Sequence, residues 1–163
     1  MADTKKLNAP AALSGEPVFF KALTEINMIA HLASNEFRHL LPKGLTEAQF
    51  GVLNRLVRLE ASETVSELAE AFQVAQPTMT STLKKLSAKE LVTITRSAGD
   101  SRVKIVEITA AGRGLRKKTI DQIAPLQAQI SAEAPDIEWE NIMPVLTALR
   151  VYLDHRRIEG LGG

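Results

Sequence analysis

Asp100-Ser101-Arg102-Val103-Lys104-Ile105-Val106-Glu107-Ile108-Thr109-Ala110-Ala111-Gly112 is the stretch that decides the fold of this chain. A short polar turn, which carries an acid and a base two residues apart, leads into a strand-like alternation that includes Val103 and Ile105. Thr109 then offers a hydroxyl for the start of a helix. The pattern predicts the tip and return strand of a β-hairpin that runs directly into a helix.

The residues upstream of this stretch complete the hairpin and place a helix before it. Val92–Arg96 alternates as a strand does, and Ser97–Ser101 forms the polar turn. Pro77 suits the first turn of a helix, where its missing N–H costs nothing, and this helix is expected from Thr78 to about Lys89. One face of it is apolar and the other is polar and basic. A helix of this kind beside a hairpin predicts a recognition helix with a wing.

Two capping boxes predict the starts of the two preceding helices. In each box a Thr hydroxyl begins the helix and a Gln or Glu follows three residues later: Thr46 with Gln49, and Thr64 with Glu67. Such reciprocal pairs satisfy backbone groups that a helix end would otherwise leave without partners. Short helices are therefore expected from Thr46 and from Thr64.

Longer helices are predicted at both ends of the chain. Apolar residues at steps of three and four indicate an amphipathic helix from Glu16 to about Leu41. The helix that begins at Thr109 should be kinked or divided by Pro125. A last helix is expected from Asp136, with Trp139, Leu146 and Leu153 facing inward, and Pro144 should either kink it or delay its start to near Asn141. The order of elements predicts a mainly α (α+β) fold.

Composition excludes several classes of function. The chain has 163 residues and no cysteine, which rules out disulfides, thiolate zinc sites and iron–sulfur ligation. It shows neither an apolar run long enough to cross a membrane nor a signal peptide at its N-terminus, so a cytoplasmic location is expected. No phosphate loop, nucleophile motif or cluster of His, Asp and Glu is present, so the chain is not expected to be an enzyme.

Charge is distributed unevenly along the chain. Residues 75–118 carry 10 basic and 3 acidic side chains, a net charge of +7, whereas the flanking segments are acidic and the whole chain is only +1. A basic middle between acidic flanks is typical of a nucleic-acid surface held in a larger scaffold. An ordinary solvated charged face is the alternative interpretation.

The motifs together resemble the MarR (multiple antibiotic resistance regulator) family of bacterial winged helix-turn-helix transcription factors. The matching pieces are Leu45-Thr46-x-x-Gln49, Val65-Ser66-Glu67-Leu68-Ala69, Gln76-Pro77-Thr78, Lys84-Lys85-Leu86, Leu91-Val92, Asp100-x-Arg102 and Thr109-x-x-Gly112. The resemblance covers roughly residues 18–157. It implies a homodimer that binds a pseudo-palindromic double-stranded DNA operator and releases it when a small aromatic or anionic effector binds.

Residues 1–15 are small, polar and Pro-containing and are expected to be a disordered tail. The resemblance implies that residues 16–44 are the N-terminal dimerisation helix, 45–110 the winged helix-turn-helix DNA-binding domain and 111–157 the C-terminal dimerisation helices, with 158–163 expected as a second tail. Three positions depart from the family pattern. Glu90 stands where glycine is usual, Ser81 stands where many relatives have arginine, and the first basic residue of the wing strand comes late, as Arg96.

The predicted DNA-contacting residues lie on the recognition helix and the wing. Short or amide-bearing side chains near the helix N-terminus can reach base edges or phosphates, and the two lysines further along are better placed for phosphates. Arg102 is expected in a minor groove, where negative potential favours arginine, and Asp100 is expected to hold it in position. The alternatives are ordinary exposed helix residues and a surface ion pair. The predicted contacts are Gln76, Thr78, Thr80, Ser81, Lys84, Lys85, Arg96 and Arg102.

An effector site is expected on the first helix, which borders the effector cleft in the family that the chain resembles. The candidates to bind an anionic ligand are His31, Asn35, Arg38 and His39, and the alternative is that they are polar residues of a dimer surface. The two histidines would stand about 12 Å apart along a helix, too far to share a metal. No metal and no cofactor is expected. An activator, or a protein-interaction module without an effector, remains the alternative function.

Overall fold

The computed structural model describes residues 15–158 and 160, and the predicted tail at 1–15 lies almost wholly outside them, as does most of the predicted tail at 158–163. The described residues form two compact units that divide between Thr119 and Ile120. In chain order the elements are α1 (Val18–Leu40), α2 (Glu47–Leu59), β1 (Glu63–Thr64), α3 (Val65–Ala71), α4 (Gln76–Ser87), β2 (Val92–Arg96), β3 (Lys104–Ile108), α5 (Ala110–Asp121), α6 (Ala124–Glu133) and α7 (Trp139–Ile158). Mostly helical structure with a small sheet confirms the predicted fold class.

Both predicted capping boxes are formed. The Thr46 hydroxyl accepts a hydrogen bond from the Gln49 backbone N–H at 3.3 Å, and the Gln49 side chain accepts one from the Thr46 N–H. The second box repeats the exchange between Thr64 and Glu67 at 2.7 and 3.1 Å. These bonds satisfy donors at the helix starts, which is why α2 and α3 begin where the sequence predicts.

A three-stranded antiparallel sheet with the order β1-β3-β2 packs against the helices. The hairpin is in the register Val92 opposite Ile108, Ile94 opposite Val106 and Arg96 opposite Lys104. The sequence pattern did not predict β1, which has only two residues and pairs Glu63 with Val106.

The core of the first unit lies between α2, α3, α4 and the sheet. Its fully buried apolar side chains are Leu53, Leu56, Leu68, Leu83, Leu86, Val52, Val92 and Val106. Val106 is the buried residue of β3, and Ile105 is half-buried on the opposite face of the strand. The pairing of Val106 with Ile94 and its burial against the helices decide which face of β3 points to the core, and neither is visible in an isolated strand.

A compact joint connects the hairpin to α4 and α5. Glu90 adopts a left-handed backbone with φ 58°, although it carries a side chain where glycine would be less strained. The Thr109 hydroxyl donates to the Glu90 carbonyl at 2.7 Å and accepts from the Gly112 N–H at 3.0 Å. The Thr109 N–H also donates to the Leu91 carbonyl at 3.1 Å. Thr109 therefore caps α5, as predicted, and ties its start to the end of the recognition-helix segment.

The second unit contains α6 and most of the C-terminal helical sequence. Pro125 falls in the first turn of α6, so the predicted helix is divided at this point. The last helix, α7, begins at Trp139, three residues after Asp136, and continues through Pro144. Trp139, Leu146 and Leu153 are exposed in the described chain, so the expectation that they face inward is wrong for a single copy.

No helix within residues 15–158 and 160 is both long and apolar enough to span a bilayer.

Candidate nucleic-acid interface

The orientation of the recognition helix α4 is set by its apolar face, which packs into the core. Met79, Leu83 and Leu86 are buried, which leaves the opposite face directed to solvent. Of the predicted contacts on this helix, Thr80 is half-buried and the others are exposed: Gln76, Thr78, Ser81, Lys84 and Lys85. The helix starts two residues before the predicted Thr78, with Pro77 in its first turn. The fold thus presents amides, hydroxyls and ammonium groups together on one helical surface.

Gln76 is positioned by a neighbour that the sequence did not single out. Its amide Nε2 donates to the Ser66 hydroxyl at 3.0 Å, which links the start of α4 to the start of α3. The amide oxygen of Gln76 then remains available as an acceptor, suited to an exocyclic amino group of adenine or cytosine in a major groove.

The wing tip is a tight turn organised by Asp100. Backbone bonds from Ser97 N–H to the Val103 carbonyl and from Val103 N–H to the Asp100 carbonyl, both 2.9 Å, close the loop. The Asp100 carboxylate accepts from the Arg102 backbone N–H at 2.9 Å and from its guanidinium Nε at 3.4 Å. The Arg102 side chain is 91% exposed, so it is tethered at its base and free at its tip.

A cleft of about 270 Å³ separates α4 from the hairpin. Lys84 of α4 and Arg96 of β2 line it, together with Lys104 of β3. Lys104 was not among the predicted site residues, because only the strand register places it opposite Arg96. One basic residue of the recognition helix and one of each hairpin strand therefore meet around one gap.

The candidate effector residues are only partly brought together. Arg38 donates to the Asn35 amide oxygen at 2.8 Å and to the Glu47 carboxylate at 2.9 Å, so α1 is joined to the start of α2. His31 and His39 are exposed. Phe37 packs edge-on against Phe50, with ring centroids 5.0 Å apart, beside this junction. The guanidinium of Arg38 already has a carboxylate partner that an anionic ligand would have to replace.

The carboxylate of Glu67, on α3, has a shifted pKa. The pKa of Glu67 lies below its ordinary value because its carboxylate accepts the Thr64 backbone N–H and interacts with the Thr64 side chain; Arg55 adds a smaller effect in the same direction. Within residues 15–158 and 160, no group of three or more His, Cys, Asp or Glu could hold a metal ion.

The buried trihelical core, the recognition helix and the three-stranded sheet with its wing define a winged helix-turn-helix protein. Residues 43–103 match the model of the MarR family. The family consists of regulators rather than enzymes, in agreement with the sequence prediction.

Similarity extends to characterised and solved proteins. The chain is 37% identical over 87 residues to the HTH-type transcriptional repressor NicR of Pseudomonas putida, a match that covers 53% of this chain and 52% of NicR. The chain thus spans about half the length of this curated relative. The transcriptional regulator BldR of Sulfolobus solfataricus superposes with a TM-score of 0.63, at 27% identity, over 86% of this chain and 99% of BldR. MosR of Mycobacterium tuberculosis, solved in complex with DNA, gives a TM-score of 0.60 at 26% identity over 87% and 99%.

Proposed function

We propose that this protein is a cytoplasmic transcriptional repressor that binds operator DNA as a homodimer through α4 and the wing. The observation that carries the proposal is the continuous set of exposed polar and basic groups on these two elements, within a segment of net charge +7. The similarity to NicR, a transcriptional repressor, and to MosR, solved with DNA, supports it. In this arrangement residues 45–110 form the DNA-binding domain.

Each side chain of the interface has a proposed role that follows from its chemistry. Gln76, Thr78, Thr80 and Ser81 contact base edges or nearby phosphates in the major groove. Lys84, Lys85 and Arg96 neutralise phosphates, since ammonium and guanidinium groups attract the backbone irrespective of sequence. Arg102 enters the adjacent minor groove, and Asp100 positions it from within the turn.

Dimerisation is proposed for residues 16–44 and 111–157. No residue of α1 is buried in the single chain, and large apolar side chains such as Val18, at 81% exposure, face solvent. The last helix α7 likewise exposes Val145 (68%) and Tyr152 (57%). Apolar helix faces of this size mark interaction surfaces, and a second copy would cover them by symmetry.

A small aromatic or anionic effector is proposed to act through His31, Asn35, Arg38 and His39. The Arg38–Glu47 ion pair supports this role, since a ligand carboxylate at Arg38 would compete with Glu47 at the junction of α1 and α2. Thermal shift against a panel of aromatic carboxylates, beginning with benzoate, tests it. A stabilisation that Arg38→Gln abolishes supports the site, and an equal stabilisation of both proteins contradicts it.

DNA binding is tested by selecting duplexes from a random library with the full chain. The affinities of the protein for the selected duplex and for a scrambled control duplex are then measured by fluorescence anisotropy. The mass of the complex with the selected duplex is determined by analytical ultracentrifugation. The proposal expects tighter binding of the selected duplex and two chains per site. Equal affinity for both duplexes, or one chain per site, would contradict it.

The role of Lys84 has its own readout. Lys84→Ala should weaken binding to the selected and scrambled duplexes alike, because a phosphate contact carries no sequence information. It should also reduce the slope of log affinity against log salt by about one, since one phosphate is no longer neutralised. A weakening confined to the selected duplex would show that Lys84 reads bases instead.

A further inference from the structure

The cleft between α4 and the hairpin has a construction that stability alone does not explain. Its floor is apolar, from Val65 of α3, Leu83 of α4 and Ile94 of β2. Its rim carries three cationic side chains, all exposed: Lys84, Arg96 and Lys104. An apolar floor below a cationic rim favours a ligand whose charge lies at the mouth of the cleft.

The strand register places two of these cations directly across from each other. Arg96 and Lys104 are cross-strand partners in an antiparallel pair, on the same hairpin face as Val106 and its partner Ile94. Like charges in such a pair repel each other and destabilise the sheet. The repulsion between Arg96 and Lys104 therefore destabilises the hairpin at the strand pair where its core-facing side becomes exposed to solvent.

Within the part of the chain that the structure describes, no acidic side chain forms an ion pair with any of these three cations. None of the hydrogen bonds or ion pairs resolved for residues 15–158 and 160 involves the side chain of Lys84, Arg96 or Lys104. The two nearest acids along the hairpin are directed elsewhere: Asp100 binds Arg102, and Glu107 stands opposite Thr93 on the other face. A bound anion would supply the missing negative charge.

We propose that this cleft holds one backbone phosphate of the DNA, bound jointly by Lys84, Arg96 and Lys104. The inference rests on the proposed DNA-binding function. With α4 in the major groove and Arg102 in the adjacent minor groove, the strand that separates the two grooves must cross the gap between helix and wing. The cleft lies in that gap, so a phosphodiester reaches all three cations at once.

A phosphate at this position would also fix the angle between the wing and the recognition helix. Lys84 belongs to α4, whereas Arg96 and Lys104 belong to the two strands of the hairpin. Bridging them through one anion holds the tip, with Arg102, in register with the bases that α4 contacts. Lys104 thereby becomes a DNA-binding residue that also positions the wing.

The decisive experiment is a methylphosphonate scan of the duplex selected by the wild-type protein. Each neutral substitution removes one phosphate charge, and anisotropy gives the affinities of wild type, Lys104→Gln and Arg96→Gln for every duplex. Both variants should bind the unmodified duplex at least fivefold more weakly than wild type. At one position per half-site all three proteins should converge to equal affinity, because the charge that the cations recognise is gone. Arg58→Gln, an exposed cation in the last turn of α2 and outside residues 75–118, is the matched control and should behave as wild type at every position.

The outcomes separate this inference from the function on which it rests. If the wild type selects no duplex, the DNA-binding proposal fails. If the wild type binds but neither variant equals the wild-type affinity at any methylphosphonate position, the shared phosphate site is refuted. It is also refuted if Arg96→Gln and Lys104→Gln reach the wild-type affinity at different positions.

Two thermal measurements distinguish the site from its alternatives. Lys104→Gln should melt at the same or a higher temperature than wild type without DNA, since it removes a repulsion; a lower melting temperature would show a structural role instead. Benzoate and inorganic phosphate should not stabilise the free protein in a Lys104-dependent way. If they do so while the scan stays flat, the cleft binds a small free anion and the inference is overturned.

Discussion

Gly112 lies at the start of α5, where the helix packs too closely against Leu91 to accept a side chain. A Cβ built at this position would lie 2.2 Å from the Leu91 carbonyl oxygen and 2.8 Å from Ile108 Cγ1. The first contact is with backbone, so it cannot be relieved by a rotamer change. Gly112→Ala must push α5 away from Leu91 by about 1 Å to restore an ordinary van der Waals distance.

The expected cost follows from the contacts at this joint. Overpacking costs about 1–3 kcal/mol. Displacing α5 also weakens the Thr109 bonds to the Glu90 and Leu91 carbonyls, each worth about 1 kcal/mol. The better helix propensity of alanine returns about 1 kcal/mol. Gly112→Ala should therefore lower the free energy of unfolding by about 2–3 kcal/mol, measured by urea denaturation followed by circular dichroism.

Gly114 provides the matched control on the same helix. A Cβ at Gly114 would meet nothing within 4 Å, and its φ is not in the left-handed region. Gly114→Ala should therefore stabilise the fold by about 0.5–1 kcal/mol through helix propensity alone. Equal effects of the two substitutions, or a stabilising Gly112→Ala, would refute the close approach of α5 to Leu91.

Three further sets of substitutions test other parts of the fold and the wing. Arg55→Met leaves the buried Glu63 carboxylate without its two guanidinium hydrogen bonds of 2.7 Å, so it should lower the free energy of unfolding, measured by urea denaturation, by about 2–3 kcal/mol. Adding Glu63→Gln should restore most of this loss, because no buried charge is then left without a partner. If the two substitutions show no such coupling, the ion pair does not contribute to stability. Since the pKa of Glu67 is lower in the folded state, its charge stabilises above the unfolded pKa near 4.5 and this advantage is lost as pH falls through the folded pKa. The stability difference between wild type and Glu67→Gln should therefore shrink on going from about pH 7 to about pH 3, and a constant difference would contradict the assignment. Asp100→Ala removes the acceptor for the Arg102 backbone N–H, so it should loosen the wing and weaken DNA binding several-fold in anisotropy titrations. Asp100→Asn keeps that acceptor and should bind DNA at least as tightly as the wild type. The same weakening in both variants would show that the charge of Asp100 itself is required.

Features set by local sequence could be predicted with good accuracy. The two capping boxes, Pro77 and the Asp100–Arg102 turn each act over three or four residues, so their spacing alone specifies their geometry. Division of the helix at Pro125 is of the same kind, because a proline acts on its own turn.

Features set by contacts between distant segments could not be predicted in this way. Two residues are too few for a strand pattern, so β1 appears only through its pairing with β3. The core-facing side of β3 and the position of Lys104 could not be predicted for the same reason, since both depend on which residue of β2 lies opposite each residue of β3. Periodicity likewise identified an apolar face on α7 but could not show that a single copy leaves it exposed.

Glu90 shows how the fold tolerates a departure from the family pattern. The left-handed conformation usual for glycine is kept at φ 58°, at a cost of about 1 kcal/mol. The Glu90 carbonyl is held by the Thr109 hydroxyl, and the neighbouring Leu91 N–H donates to the Leu86 carbonyl at 3.0 Å. These bonds require that turn, so the geometry persists without glycine.

The Arg102 side chain tests most directly the proposal that α4 and the wing form a DNA-binding surface. It is 91% exposed and makes one weak side-chain contact, at 3.4 Å to Asp100, so it adds little to folding. Anisotropy titration of the selected duplex with Arg102→Ala should show at least a tenfold loss of affinity, with an unchanged melting temperature and an unchanged oligomeric state. An affinity equal to that of the wild type would contradict the proposal.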